Sequence, residues 1–172
     1  MDIKQEPTAG INGAYRGMAY PIPFSCSENA AFILRNPKNS NTLVTLRRIR
    51  VANLSSTGIQ IIITLLGTPS GRLFRSDYVI GPLETPNRLT STGIYYGNNI
   101  EIKEGVPVIT IAVPPYSTWD TVPLGKAVFP PGTNHIATIT PIETNGTGCV
   151  NASYDWQEEP VLTTDAFHTN RT

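Results

Sequence analysis

From residue 31 to residue 156 the chain is written as short runs of β-branched and aliphatic residues, each closed by turn-forming residues, which is the pattern of antiparallel strands. The runs predict strands over residues 31–35, 42–51, 60–66, 73–80, 94–96 with 100–103, 106–113, 126–129, 136–141 and 149–156. Asn36-Pro37, Ser56-Thr57-Gly58, residues 67–71, Gly97-Asn98-Asn99, Glu104-Gly105, Pro114-Pro115, Pro130-Pro131-Gly132 and Asn145-Gly146 punctuate them. No long stretch between the runs carries the i, i+3, i+4 apolar stripe of a helix, so the crossover helices that parallel strands need are missing. The predicted fold is all-β, a jelly-roll-like or Greek-key antiparallel β-sandwich over residues 25–157.

Three segments depart from simple alternation. In residues 42–51, Leu43, Thr45, Arg47, Ile49 and Val51 alternate with Val44, Leu46, Arg48 and Arg50, which puts arginine on both faces. Arg47, Arg48 and Arg50 therefore read either as solvated, edge-protecting guanidiniums or as a contact surface. Residues 59–66 are nearly continuously aliphatic, as expected of a central strand covered on both sides and of the most buried segment. Residues 1–24 mix glycine and proline with scattered aromatics and follow neither period. They are predicted to form an extended arm, with Tyr15, Tyr20 and Phe24 packing on the domain or on a neighbour. Residues 158–172 are predicted to form a C-terminal tail.

With 172 residues, 40% of them apolar and 15% charged, the composition fits one globular domain with its own core. The net charge is zero, which gives no overall attraction to nucleic acid or to an anionic membrane. The charges are nevertheless segregated. Residues 35–88 hold eight basic and two acidic residues, while residues 143–172 hold five acidic residues and only Arg171. Such a split suits either contacts between copies or neutralisation within one chain. The first residues lack an apolar signal-like stretch, and no run is long enough for a membrane span, so the expectation is a soluble chain made in the cytosol. Cys26 and Cys149 lack zinc-site spacing and read as free thiols, with a disulfide as the other option.

No catalytic set emerges from the sequence, and the chain is expected to be non-enzymatic, with no metal and no cofactor. His135 and His168 are too few for a cupin-type metal centre. Residues 67–71 have the wrong spacing for a nucleophile elbow and read as a hairpin turn. A dyad of Cys149 with His135 has no local support, and a small buried cysteine is the simpler reading. Tyr116 and Trp119 lie in a long loop, and Asp155, Glu158 and Glu159 surround Trp156. Aromatics beside carboxylates suit stacking on sugar rings, or these rings close the ends of the sandwich.

The segment Phe32-Ile33-Leu34-Arg35-Asn36-Pro37-Lys38-Asn39-Ser40, followed by Leu46-Arg47-Arg48-Ile49-Arg50-Val51 and the turn at Gly58, resembles the opening of small β-rich virion proteins of tailed phages. That resemblance implies a sandwich on the outside of the capsid, often trimeric, that clamps neighbouring subunits of the major capsid protein. It carries no shared catalytic motif. The expectation is a capsid decoration or cement protein located in the virion and assembled in the host cytoplasm. Its partners would be the major capsid protein and further copies of itself, engaged through the arm and through Arg47, Arg48 and Arg50. The alternative is a carbohydrate-binding module or structural component of a phage tail or fibre, using Tyr116, Trp119 and Trp156.

Overall fold

Buried side chains recur at every second position in residues 15–17, 22–24, 49–53, 59–63 and 150–158, so each of these segments offers one face to a core. The computed structural model describes residues 13–81, 90–121 and 127–161. In chain order the strands are β1 (Gly13–Met18), β2 (Ile22–Ser25), β3 (Ala30–Arg35), β4 (Thr42–Asn53), β5 (Ile59–Leu65), β6 (Thr68–Ser70), β7 (Phe74–Arg75), β8 (Val79–Ile80), β9 (Gly93–Asn98), β10 (Glu101–Lys103), β11 (Val106–Val113), β12 (Thr118–Thr121), β13 (Ala127–Phe129), β14 (Asn134–Pro141) and β15 (Thr147–Pro160).

They form two antiparallel sheets and a small ribbon. Sheet I has the order β12-β4-β15-β1-β8, with β13 beside β12 on the edge of β4 and β2 beside β1 on β15. Sheet II has the order β11-β5-β14-β3-β9-β7. The core lies between them. Sheet I contributes Val44, Leu46, Ile49, Val51, Tyr154 and Trp156, and sheet II contributes Phe32, Leu34, Ile61, Ile63, Ala137 and Ile139. The Tyr154 hydroxyl crosses the gap and donates to the Phe32 carbonyl at 3.3 Å. All-β sandwich architecture is thus what the hydrophobic pattern produces.

The ribbon of β6 and β10 folds over the outer face of sheet II. Beneath it Ile33 and Ile136, cross-strand partners, are fully buried although they point away from the main core. The approach is close enough to require glycine. A Cβ on Gly105, whose φ is +89°, would stand 2.6 Å from the Gly67 Cα. This cover makes β3 the most buried strand, in place of β5. Only the far end of β5 reaches the ribbon, and Gln60 on its outer face is exposed.

The chain crosses repeatedly between sheets, and asparagine side chains tie the crossings. Asn53, buried at the end of β4, donates from Nδ2 to the carbonyls of Thr57 (2.8 Å) and Pro114 (3.0 Å). Its Oδ1 accepts from the Ser55 amide (3.1 Å) and hydroxyl (2.6 Å). The β4–β5 and β11–β12 crossings are thereby joined. The Leu54 amide donates to Cys149 (3.0 Å) and the Ile142 amide to Gly58 (2.9 Å), which adds the β14–β15 crossing. At the opposite end, Asn36 Nδ2 donates to Thr42 and Phe129, both at 2.9 Å, joining the β3–β4 and β13–β14 crossings.

The expected arm is a correction. Residues 13–24 belong to sheet I, with β1 paired to β15 from Gly13 opposite Glu158 to Met18 opposite Ser153. Tyr15 and Phe24 are buried in the core. Pro23 is accommodated because β2 has a neighbour on one side only and Pro23 faces solvent between the buried Ile22 and Phe24. Residues 1–12 of the expected arm lie outside the described residues. At the other terminus, β15 continues to Pro160, three residues past the expected domain end, and residues 162–172 of the expected tail lie outside the described residues. The single strand expected over 73–80 is instead β7 in sheet II and β8 in sheet I. They are separated by a crossing where the Ser76 amide donates to Ile94 (2.8 Å) and the Met18 amide to Tyr78 (3.0 Å).

Asn53→Asp keeps the shape but replaces two N–H donors with an oxygen facing two carbonyls. Urea unfolding near neutral pH should show a loss of about 3 kcal/mol or more, and a loss below about 1 kcal/mol would remove Asn53 as the tie.

Candidate docking surfaces

The outer face of sheet I is a row of alternating charges. A register shift between Asp155 and Trp156 places Arg48 opposite Asp155 and Leu46 opposite Trp156, leaving Arg47 as the extra residue of a β-bulge. The bulge resets the alternation, so Leu46 and Ile49 both face the core while Arg48 and Arg50 share the outer face. Arg48 Nε and Arg50 Nε contact the two oxygens of Asp120, each at 3.2 Å. Arg50 Nη2 reaches Asp155 at 3.6 Å, and Arg16 Nε donates to Asp155 at 2.7 Å. The hydrogen bond and charge of Asp155 raise the pKa of Arg16 further above its ordinary range. Arg47 donates to Gln157. The arginines expected as partner contacts are therefore engaged within the chain, and the basic segment meets the acidic one in the same sheet.

The glycan trio is not brought together. Strand parity puts Trp156 with Val150, Ala152 and Tyr154 on the core side of β15, where it stacks on Tyr15 with ring centroids 5.7 Å apart. Glu158 takes the next inward position and is buried, accepting from Trp156 Nε1 at 3.1 Å and from the Thr90 hydroxyl. Trp156 and Tyr15 serve the core. Tyr116 is exposed at the Asn53 end with φ +50°, and Trp119 is half-buried on β12.

At the edge where β8 of sheet I meets β7 and β9 of sheet II, aromatic side chains gather in solvent. Tyr20, Phe74 and Tyr78 are 44%, 45% and 47% exposed, with Met18 beside them at 44%. Tyr20 lies 4.7 Å from Tyr78 and 6.1 Å from Tyr96 by ring centroids, and Phe74 stacks on Tyr96 at 5.9 Å. Arg72 sits over the Phe74 ring at 4.9 Å. The Tyr20 hydroxyl donates to that of Tyr78 at 2.7 Å, and this bond, with lesser burial and charge effects, raises the Tyr20 pKa to about 12. Of the expected contact residues only Tyr20 is here. Phe74, Tyr78 and Tyr96 escaped the sequence reading because the run 73–80 is divided between the two sheets and only that topology brings its aromatics to one edge with Tyr20 and Tyr96.

On the opposite side, a cavity of about 270 Å³ opens between β11 and β12–β13. Leu46, Ile49, Ile63, Val108, Ile109 and Trp119 line it, with His135. His135 is 4% exposed, edge-on to the rings of Phe129 and Tyr154, and its Nδ1 has no hydrogen-bond partner. Burial lowers its pKa to about 4, so it is neutral at pH 7. Cys149 lies at the other end of the sandwich, and both cysteines are free thiols. Among the described residues no three His, Cys, Asp or Glu side chains form a metal cage. His168 lies outside them.

No known protein family matches this chain, and no curated protein or solved structure matches it either.

A histidine whose folded pKa is depressed from about 6.5 to about 4 binds its proton in the unfolded chain first. Its contribution to stability is whole above pH 6.5 and is lost as pH falls towards 4, with a slope approaching about 1.4 kcal/mol per pH unit. His135→Phe, which suits the ring-lined site, should flatten the fall in unfolding free energy between pH 7 and 5 relative to wild type. Parallel curves for the two proteins would refute the assignment.

Proposed function

We propose that this chain is a non-enzymatic structural protein of a tailed-phage virion, a decoration or cement protein that binds the major capsid protein on the outer head surface and stabilises the shell. The observation that carries the reading is the aromatic edge formed by Met18, Tyr20, Phe74, Tyr78 and Tyr96. Exposed aromatic groups packed against one another on strands and their short connections lose little conformational freedom on docking and bury a large apolar area, so an edge of this kind serves adhesion between subunits. The charge row on sheet I supports the same division of labour. Its arginines are held in ion pairs within the chain, and the aromatic edge, with Arg72, presents the aromatic surface for docking. Trimeric self-association belongs to this proposal as the resemblance implies it.

A glycan-binding role in a tail or fibre is the second reading, and the same edge favours it, since tyrosine faces next to hydroxyls and a guanidinium suit a sugar ring.

Purified protein should bind emptied, expanded capsids of the phage that encodes it, and Tyr20→Ala with Tyr78→Ala should weaken that binding about tenfold or more while thermal unfolding moves by only a few degrees. Failure of wild type to bind these capsids would overturn the decoration role. Polysaccharide binding abolished by the same double substitution would establish the second reading instead.

A further inference from the structure

Unpaired backbone at a sheet edge recruits other strands unless the edge is short, charged, bent or covered. Among the described residues the edges of the two sheets other than β11 are blunted, β2 by Pro23 within its four residues. β7 and β8 have two residues each, and Arg75 belongs to β7. β12 and β13 divide the edge of β4 into runs of four and three residues, with Asp120 in the first. The remaining edge, β11, has eight residues, none of them charged, and pairs only with β5. Val106, Val108 and Ile109 on it are 56%, 47% and 45% exposed. Pro107 and the register shift beside it spoil the first part of the strand, whereas residues 109–113 pair regularly with β5 and stop at Pro114-Pro115.

We propose that β11 is a self-association edge, at which two copies of this chain pair antiparallel through residues 109–113 about a two-fold axis at Ile111. Their six-stranded sheets then join into one continuous sheet. The segment is complementary to itself in this register. Ile109 faces Val113 of the second copy, Ile111 faces its own counterpart, and Thr110 faces Ala112. The odd positions are on the core side, where Ile109 lines the cavity and Ile111 and Val113 pack on the core, so β-branched pairs meet there. The even positions are exposed and small. Proline on either side, at 107 and 114, lacks an amide donor and confines the pairing to this window. Strand pairing alone covers less than the roughly 1,200 Å² that stable association uses. Exposed Val106, Val108 and Leu66 and the adjoining cavity supply further apolar surface on the same side. With no charge on the strand to select a different partner, the segment's own symmetry selects a second copy.

The pairing is independent of capsid binding but replaces the trimer that the resemblance implies, and it is tested on the purified chain by sedimentation equilibrium over a concentration series. Wild type should be a monomer–dimer system. T110K/A112K sets like charges opposite each other on both sides of the axis and should raise the dissociation constant about tenfold or more. T110K/A112E sets opposite charges in those places and should recover the wild-type constant within about threefold. Both substitutions are on the exposed face, and circular dichroism melting of the monomer checks that the fold is kept. A wild type that stays monomeric, one that forms only trimers, or a dimer unmoved by T110K/A112K would overturn the proposal.

Discussion

The structure depends on satisfying backbone polar groups where the chain leaves one sheet and enters the other. Inside a strand, neighbouring strands pair the amides and carbonyls. At a crossing those partners are absent while the surroundings are still buried, and an unpaired group there costs as much as a lost hydrogen bond. Asn53 resolves this at one end with both Nδ2 donors and its Oδ1 acceptor, and Asn36 at the other with its Nδ2 donors alone, its buried Oδ1 having no partner. Asn29 does the same where β2 passes to β3, donating to the Ile100 carbonyl at 3.0 Å and accepting from the Ile100 amide at 2.9 Å. The sheets can then face each other at a fixed spacing, and everything packed between them, from Tyr154 to Phe32, relies on that spacing.

Strands were legible in the sequence wherever one face is apolar and the other polar. β15 reads directly, with Val150, Ala152, Tyr154 and Trp156 at alternate positions, and the same parity carries Trp156 and Glu158 inwards together. Following that parity beyond Trp156 would have withdrawn it from the glycan surface. β1 and β2 were missed because glycine and proline dominate local appearance there, although Tyr15 with Gly17, and Ile22 with Phe24, already alternate. Local sequence cannot show that β15 has room on its flank for both strands. The arginines of β4 failed for a different reason. A bulge shifts alternation by one residue and is set by pairing with a distant strand, so Arg47 and Arg48 look like opposite faces until β15 is in place.

Surface sites were less legible than the core, since each is assembled from segments far apart in the chain. The aromatic edge takes Tyr20 from one connection, Phe74 and Tyr78 from either side of a crossing, and Tyr96 from β9. The charge row takes Arg16, Arg48, Arg50, Asp120 and Asp155 from four strands of one sheet. Segregation of basic and acidic residues along the chain was visible beforehand. That Arg48 and Arg50 would pair with Asp120, and Arg50 with Asp155, required the antiparallel registers of β4 with β12 and β15.

The position of β15 also constrains the order in which the molecule can be made. This strand lies in the middle of sheet I and pairs with β1, β2 and β4, yet it is the last strand of the described chain. During synthesis β1 and β2 emerge before β15, and apart from the two-residue pairing of β1 with β8 they wait for residues 147–160. The nascent chain therefore holds two largely unpaired, partly apolar strands until residues 147–160 are made, and sheet I closes only then. Such non-local pairing makes folding slow, and it leaves β1 and β2 dependent on dilution or chaperones in the interval.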